Sequence, residues 1–75
     1  MKPELFHATN DSASATARRR VVELGIEHRV RFRNIFYPEV QADFTARGGR
    51  MLPALWTGET LIEGESQVVA ALEAL

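Results

Sequence analysis

The chain of 75 residues contains no cysteine. Its own side chains therefore supply no disulfide, no thiolate nucleophile and no thiolate metal ligand, and thiol–disulfide exchange by this chain is excluded. An excess of one charge sign is missing too. Nine Lys and Arg stand against ten Asp and Glu, for a formal net charge of −1, which provides no global basic field for nucleic acid. No apolar run approaches the ~20 residues needed to cross a bilayer. Met1-Lys2-Pro3-Glu4 is not followed by an apolar signal core, so a cytoplasmic location with no membrane partner is expected. Repeats, low-complexity segments and long linkers are absent. The two histidines, His7 and His28, lie far apart with no clustered carboxylates, and no metal is expected. The hydrophobic share of 45% and charged share of 25% are ordinary for a folded chain. The length suits a single domain over residues 1–75.

What is present is a dense succession of short elements. Glu4 to Ala8 reads as a strand, and Thr9-Asn10-Asp11-Ser12 as a turn rich in helix-capping residues. Ala13, Ala17, Val21 and Leu24 recur at helical spacing, which predicts a helix over 13–24 stopped by Gly25. From Ile26 to Ile35 the residues alternate. Ile26, His28, Val30 and Phe32 fall on one side; Glu27, Arg29, Arg31 and Arg33 fall on the other. The pattern predicts a strand with one buried face and an open arginine face, suited to a sheet edge that resists pairing with another chain.

Pro38 fits the first position of a second helix, with Val40 and Phe44 as its core pair and Gly48-Gly49 at its end. Leu52–Trp56 and Thr60–Ile62 form a hairpin about Thr57-Gly58-Glu59. After Gly64, Glu65-Ser66-Gln67 begins a last helix with Val68, Ala71, Leu72 and Leu75 as its apolar stripe. The order is β-α-β-α-β-β-α. A helix between the first two strands implies a parallel crossover, and the hairpin adds antiparallel strands. The expected fold class is α/β, a four-stranded mixed sheet with three helices.

Leu52-Pro53-Ala54-Leu55, followed by Gly58, Leu61 and Gly64-Glu65-Ser66-Gln67, resembles the V-P-x-L … G … L … E-S-x-x-I signature of the glutathione transferase N-terminal domain. Gly48-Gly49-Arg50 resembles the corresponding stretch of glutaredoxins. The resemblance runs from Leu5 to Leu72 and implies a thioredoxin-like, glutaredoxin-type fold. It implies a cis Leu52–Pro53 bond, and main-chain pairing of Leu52 with the cysteinyl part of glutathione. Glu65 and Ser66 would hold the γ-glutamyl end: free N–H groups at a helix start suit a carboxylate, and Glu65 suits an ammonium. The same two residues also read as a plain helix cap, with Ser66 or Glu65 satisfying the first N–H groups of its own helix and binding nothing.

The chain departs from the family at Asp11-Ser12-Ala13-Ser14, where glutaredoxins carry Cys-x-x-Cys and serine-type transferases a thiolate-stabilising hydroxyl at the Asp11 position. An ionised aspartate only accepts hydrogen bonds. At about 4 Å it would oppose a thiolate by about 4 kcal/mol at an effective dielectric near 20, while a helix dipole returns only about 0.3–2 kcal/mol. Thiolate stabilisation would then need Ser12 or Ser14 approaching from another angle. Read as a cap, Asp11 holds the first turn of its helix, and the motif is a degenerate active site.

Arg18-Arg19-Arg20 point in three directions on a helix and read as a solvated face. With Arg29, Arg31 and Arg33 they leave one side locally basic, able to meet an acidic partner. Trp56 reads as core. Arg47 and Arg50 flank the proline loop, where either can meet a ligand's glycine carboxylate. The expectation is a non-redox domain that binds glutathione, or a γ-glutamyl or peptide-like ligand, through Leu52, Pro53, Glu65 and Ser66, with no catalytic residue. Two alternatives remain: a protein-interaction module on the same scaffold, and a transferase-like enzyme completed by a separate helical domain.

Overall fold

Asp11 sits in extended conformation, and its Oδ2 accepts the Ser14 N–H at 2.8 Å. That cap starts helix α1 (Ser12–Glu23) and stabilises it by about 1 kcal/mol. The computed structural model describes residues 2–75. Besides α1 it contains strands β1 (Glu4–His7), β2 (Arg31–Asn34), β3 (Ala54–Trp56) and β4 (Leu61–Glu63), and helices α2 (Pro38–Ala46) and α3 (Glu65–Glu73). The sheet order is β2-β1-β3-β4, with β1 and β2 parallel and the other pairs antiparallel. The molecule is thus an α/β fold with a four-stranded mixed sheet and three helices. No described helix is long and apolar enough to cross a membrane.

Helices cover both faces of the sheet. Leu5 and Leu55 pack with Ala17, Val21, Val30, Val68 and Leu72 in the layer beneath α1 and α3. Phe6 and Ala54 pack with Val40 and Phe44 beneath α2, where the Phe6 and Phe44 rings lie 5.3 Å apart. Full burial of a side chain the size of Phe6 is worth about 1.5–3 kcal/mol. Gly49 closes this second layer: its N–H donates to the Phe44 carbonyl, and a methyl group in its place would overlap the Phe44 ring.

The helical stripe of α1 differs from expectation at its start, where Ser14 and not Ala13 is buried. The Ser14 Oγ accepts the Ala8 N–H at 3.1 Å, which gives the fully buried hydroxyl a partner. Leu75, expected in the α3 stripe, is exposed. β3 is shorter than its apolar run, because Leu52 and Pro53 remain in the loop, and β4 is shifted by one residue from Thr60–Ile62 to Leu61–Glu63.

The largest departure is in the segment 26–35. Gly25, at φ +66°, turns the chain so that Ile26 donates to the Val21 carbonyl, and Glu27–Arg29 form a 3-10 turn. Only Arg31–Asn34 join the sheet. The alternation survives only within β2, and the arginine face is closed at Arg33 alone, Arg29 and Arg31 being exposed. Arg33 lies opposite Phe6, under α2, and is 8% exposed, whereas Phe32 at the sheet edge is 39% exposed. His28 is exposed as well. Arg33 is buried because Glu4 on the neighbouring strand and Asp43 on α2 pair with it, the latter at 2.7 Å.

Candidate functional site

Strand register gathers the candidate residues at one end of the sheet. β1 leaves the sheet at His7, β3 enters at Ala54 opposite Phe6, and β4 leaves at Glu63 opposite Ala54. The starts of α1 and α3 and the loop that carries Leu52 and Pro53 therefore share that end.

The Leu52–Pro53 bond is cis. Pro53 is buried, and its carbonyl accepts the Gly64 N–H at 3.0 Å, which ties the loop to the start of α3. The Glu63 carboxylate ties it a second time: Oε2 accepts the N–H groups of Arg50 at 2.8 Å and Met51 at 2.6 Å. Leu52 lies between these ties. It is half-buried, and its own N–H and C=O have no hydrogen-bond partner among the described residues. Main-chain groups are obligatory hydrogen-bonding groups, so the free donor and acceptor of Leu52 are open to water or to a partner.

Gly64 precedes α3 at φ +96° and ψ 151°, a conformation that side chains disfavour. No side chain among the described residues caps this helix. Val68 donates back to the Gly64 carbonyl at 2.9 Å, which leaves the N–H groups of Glu65, Ser66 and Gln67 without a partner among the described residues. The plain-cap reading of Glu65 and Ser66 is therefore not what occurs. Both side chains are exposed beside open N–H groups, at the positive end of the α3 dipole.

The Asp11–Ser14 motif divides into separate roles. Asp11 is committed to the cap, and Ser14 is fully buried against Ala8, so neither presents a donor to the site. Ala13 is half-buried, and the Ser12 hydroxyl alone is exposed. Arg50 is exposed at the proline loop. Arg47 turns away: it pairs with Glu4 at 3.1 Å and lies over the Trp56 ring, 4.9 Å from its centre. Trp56 is half-buried on the α2 face and does not fill the site.

Two features were not legible as site elements. Glu63 carries no local signal in the sequence that marks its carboxylate as the clasp of the preceding loop. Arg18 read as part of a solvated face, yet it donates to the Ala8 carbonyl at 2.9 Å and lies 3.1 Å from the His7 Nδ1. A guanidinium has no acceptor, so Nδ1 accepts, and the neutral ring carries its proton on Nε2. Burial, and secondarily the Arg18 charge, hold the His7 pKa below the ordinary histidine value.

The described residues enclose no pocket. The arrangement is an open surface with a free main-chain donor and acceptor at Leu52, the uncapped start of α3, and the exposed Glu65 carboxylate. No protein family, curated protein or solved structure matches the chain.

Proposed function

We propose that this protein is a non-redox domain of thioredoxin-like, glutaredoxin-type fold, and that it binds glutathione or a related γ-glutamyl or peptide-like ligand beside Pro53. The observation that carries the reading is the unpaired N–H and C=O of Leu52, clasped from both sides and set next to the uncapped start of α3. Leu52 pairs with the main chain of the ligand. The N–H groups of Glu65 and Ser66, with the Ser66 hydroxyl, receive a carboxylate, and the Glu65 side chain receives an ammonium. Asp11 faces its own helix and donates nothing, which supports binding without thiolate activation.

The test is a two-dimensional amide NMR titration with reduced and oxidised glutathione to ~10 mM, where a millimolar complex of about −4 kcal/mol is visible. Saturable shifts at Leu52, Glu65, Ser66 and Ser12 are expected. Absence of shifts at these amides overturns the reading.

A further inference from the structure

Three of the six large apolar side chains exposed among the described residues fall within six positions: Phe32 at 39%, Phe36 at 57% and Tyr37 at 58%. They lie on β2 and the segment that follows it, at the edge of the sheet. Scattered exposed apolar residues are ordinary, whereas a run of aromatics along one edge is not. Arg29 and Arg31 precede them, both exposed and without an ion pair among the described residues. Aromatic residues and arginine are the types that dominate binding energy at protein interfaces.

The main chain of β2 is open on its outer side at Phe32 and at the Asn34 N–H, while the Asn34 carbonyl accepts the Tyr37 N–H at 3.2 Å. Arg31 donates to the Pro3 carbonyl and Ile35 to the His7 carbonyl, so alternate residues point their N–H groups at β1. Phe32 and Asn34 therefore direct theirs outward. The charges choose among possible strands. A second copy paired antiparallel about Phe32 would set Arg31 opposite Arg33 of the other copy, like charge against like charge, which is unfavourable. The opposite edge, β4, ends on Glu63 between Glu59 and Glu65 and has no exposed aromatic. We infer that the β2 edge, from Arg29 to Tyr37, is a docking strand for an acidic extended segment of another protein. The segment adds alongside Phe32 and Asn34, its carboxylates meet Arg29 and Arg31, and its apolar residues cover Phe32, Phe36 and Tyr37. The arginines that keep copies of the chain apart select this partner. The surface is separate from the Leu52 site and does not depend on it.

The experiment is an amide NMR titration of the intact chain with a blocked peptide of alternating glutamate and valine, and with its lysine–valine counterpart. Saturable shifts at Phe32 and Asn34 with the acidic peptide alone are expected, and they weaken at least tenfold in the Arg29→Glu/Arg31→Glu variant. That variant should instead bind the lysine–valine peptide. If it fails to fold, the unmodified chain still decides: affinity must fall as salt rises from ~20 to ~300 mM, since exposed charges are screened over that range. Binding of both peptides alike, salt-insensitive binding, or no binding overturns the inference. Acidic-peptide shifts confined to Leu52 and the start of α3 overturn it while supporting the ligand site. Concentration-dependent self-association that buries the β2 edge overturns it as well.

Discussion

Arg33 on β2 reaches across the parallel pair to Glu4 on β1, and both side chains are buried beneath α2. Arg33 also holds Asp43, Arg47 holds the second oxygen of Glu4, and both guanidinium groups lie within 6 Å of the Phe6 ring centre, at 5.4 and 5.6 Å. Removing Arg33 leaves the buried Glu4 carboxylate with Arg47 on one oxygen only. Arg33→Met should cost about 3 kcal/mol in urea unfolding. Glu4→Met/Arg33→Met should cost less than Arg33→Met alone, because the half-compensated carboxylate leaves with it. A double variant less stable than the single one would mean that the pair contributes net stability beyond its own desolvation.

His7 makes stability depend on pH near neutrality. Its folded-state pKa lies below the ordinary value of 6.5, from burial first and from the Arg18 charge second. Above that value both the folded and unfolded chains carry a neutral ring, and stability is complete. As pH falls through it, the unfolded chain takes up a proton that the folded one resists, so stability declines until the folded pKa is reached. The urea midpoint should drop between pH 7.5 and pH ~5.5. His7→Gln, which keeps an acceptor for Arg18, should flatten that slope. An equal slope in the variant would place the titration elsewhere.

Element order was legible in the chain because turn chemistry marks nearly every junction: Asp11 caps α1, Pro38 opens α2, and Gly25, Gly48 and Gly64 carry positive φ at the breaks. The 3.6-residue spacing found Ala17, Val21, Val40, Phe44, Val68 and Leu72, all of them buried. Alternation over 26–35 misplaced Arg33 because hydropathy measures a residue alone. Burial of Arg33 depends on Glu4 and Asp43, which are 29 and 10 residues away. The site was legible only in part for the same reason. Leu52, Pro53, Glu65 and Ser66 lie in recognisable local strings, whereas the Glu63 clasp on Arg50 and Met51 spans a hairpin and has no local signature.

Gly49 tests how tightly α2 closes the second core layer. A methyl group at this position would overlap the buried Phe44 ring, which is itself packed on Phe6. The ring cannot withdraw without opening that contact. Gly49→Ala should therefore cost about 1–3 kcal/mol, as overpacking does in well-filled cores. Gly49→Ala combined with Phe44→Leu should recover part of the loss, read from urea midpoints. No recovery would mean that the backbone at 49, and not the ring, sets the cost.

Glu63 connects loop geometry to the proposed ligand site. Its carboxylate accepts two main-chain N–H groups immediately before Leu52, in an exposed setting where the net gain is about 1 kcal/mol. Glu63→Ala releases Arg50 and Met51, and amide hydrogen exchange at both should accelerate several-fold while the cores under Phe6 and Leu5 keep their protection. Leu52 then loses one of its two fixed flanks, the other being the Pro53–Gly64 bond at 3.0 Å. Glutathione affinity should fall more than global stability does, because binding now includes the cost of ordering the loop. Glu63→Gln retains one acceptor oxygen and should fall between the parent and Glu63→Ala in both exchange and affinity. If affinity were unchanged in both variants while exchange at Arg50 and Met51 rose, the ligand would not depend on the loop that presents Leu52, and main-chain pairing at that residue would be wrong.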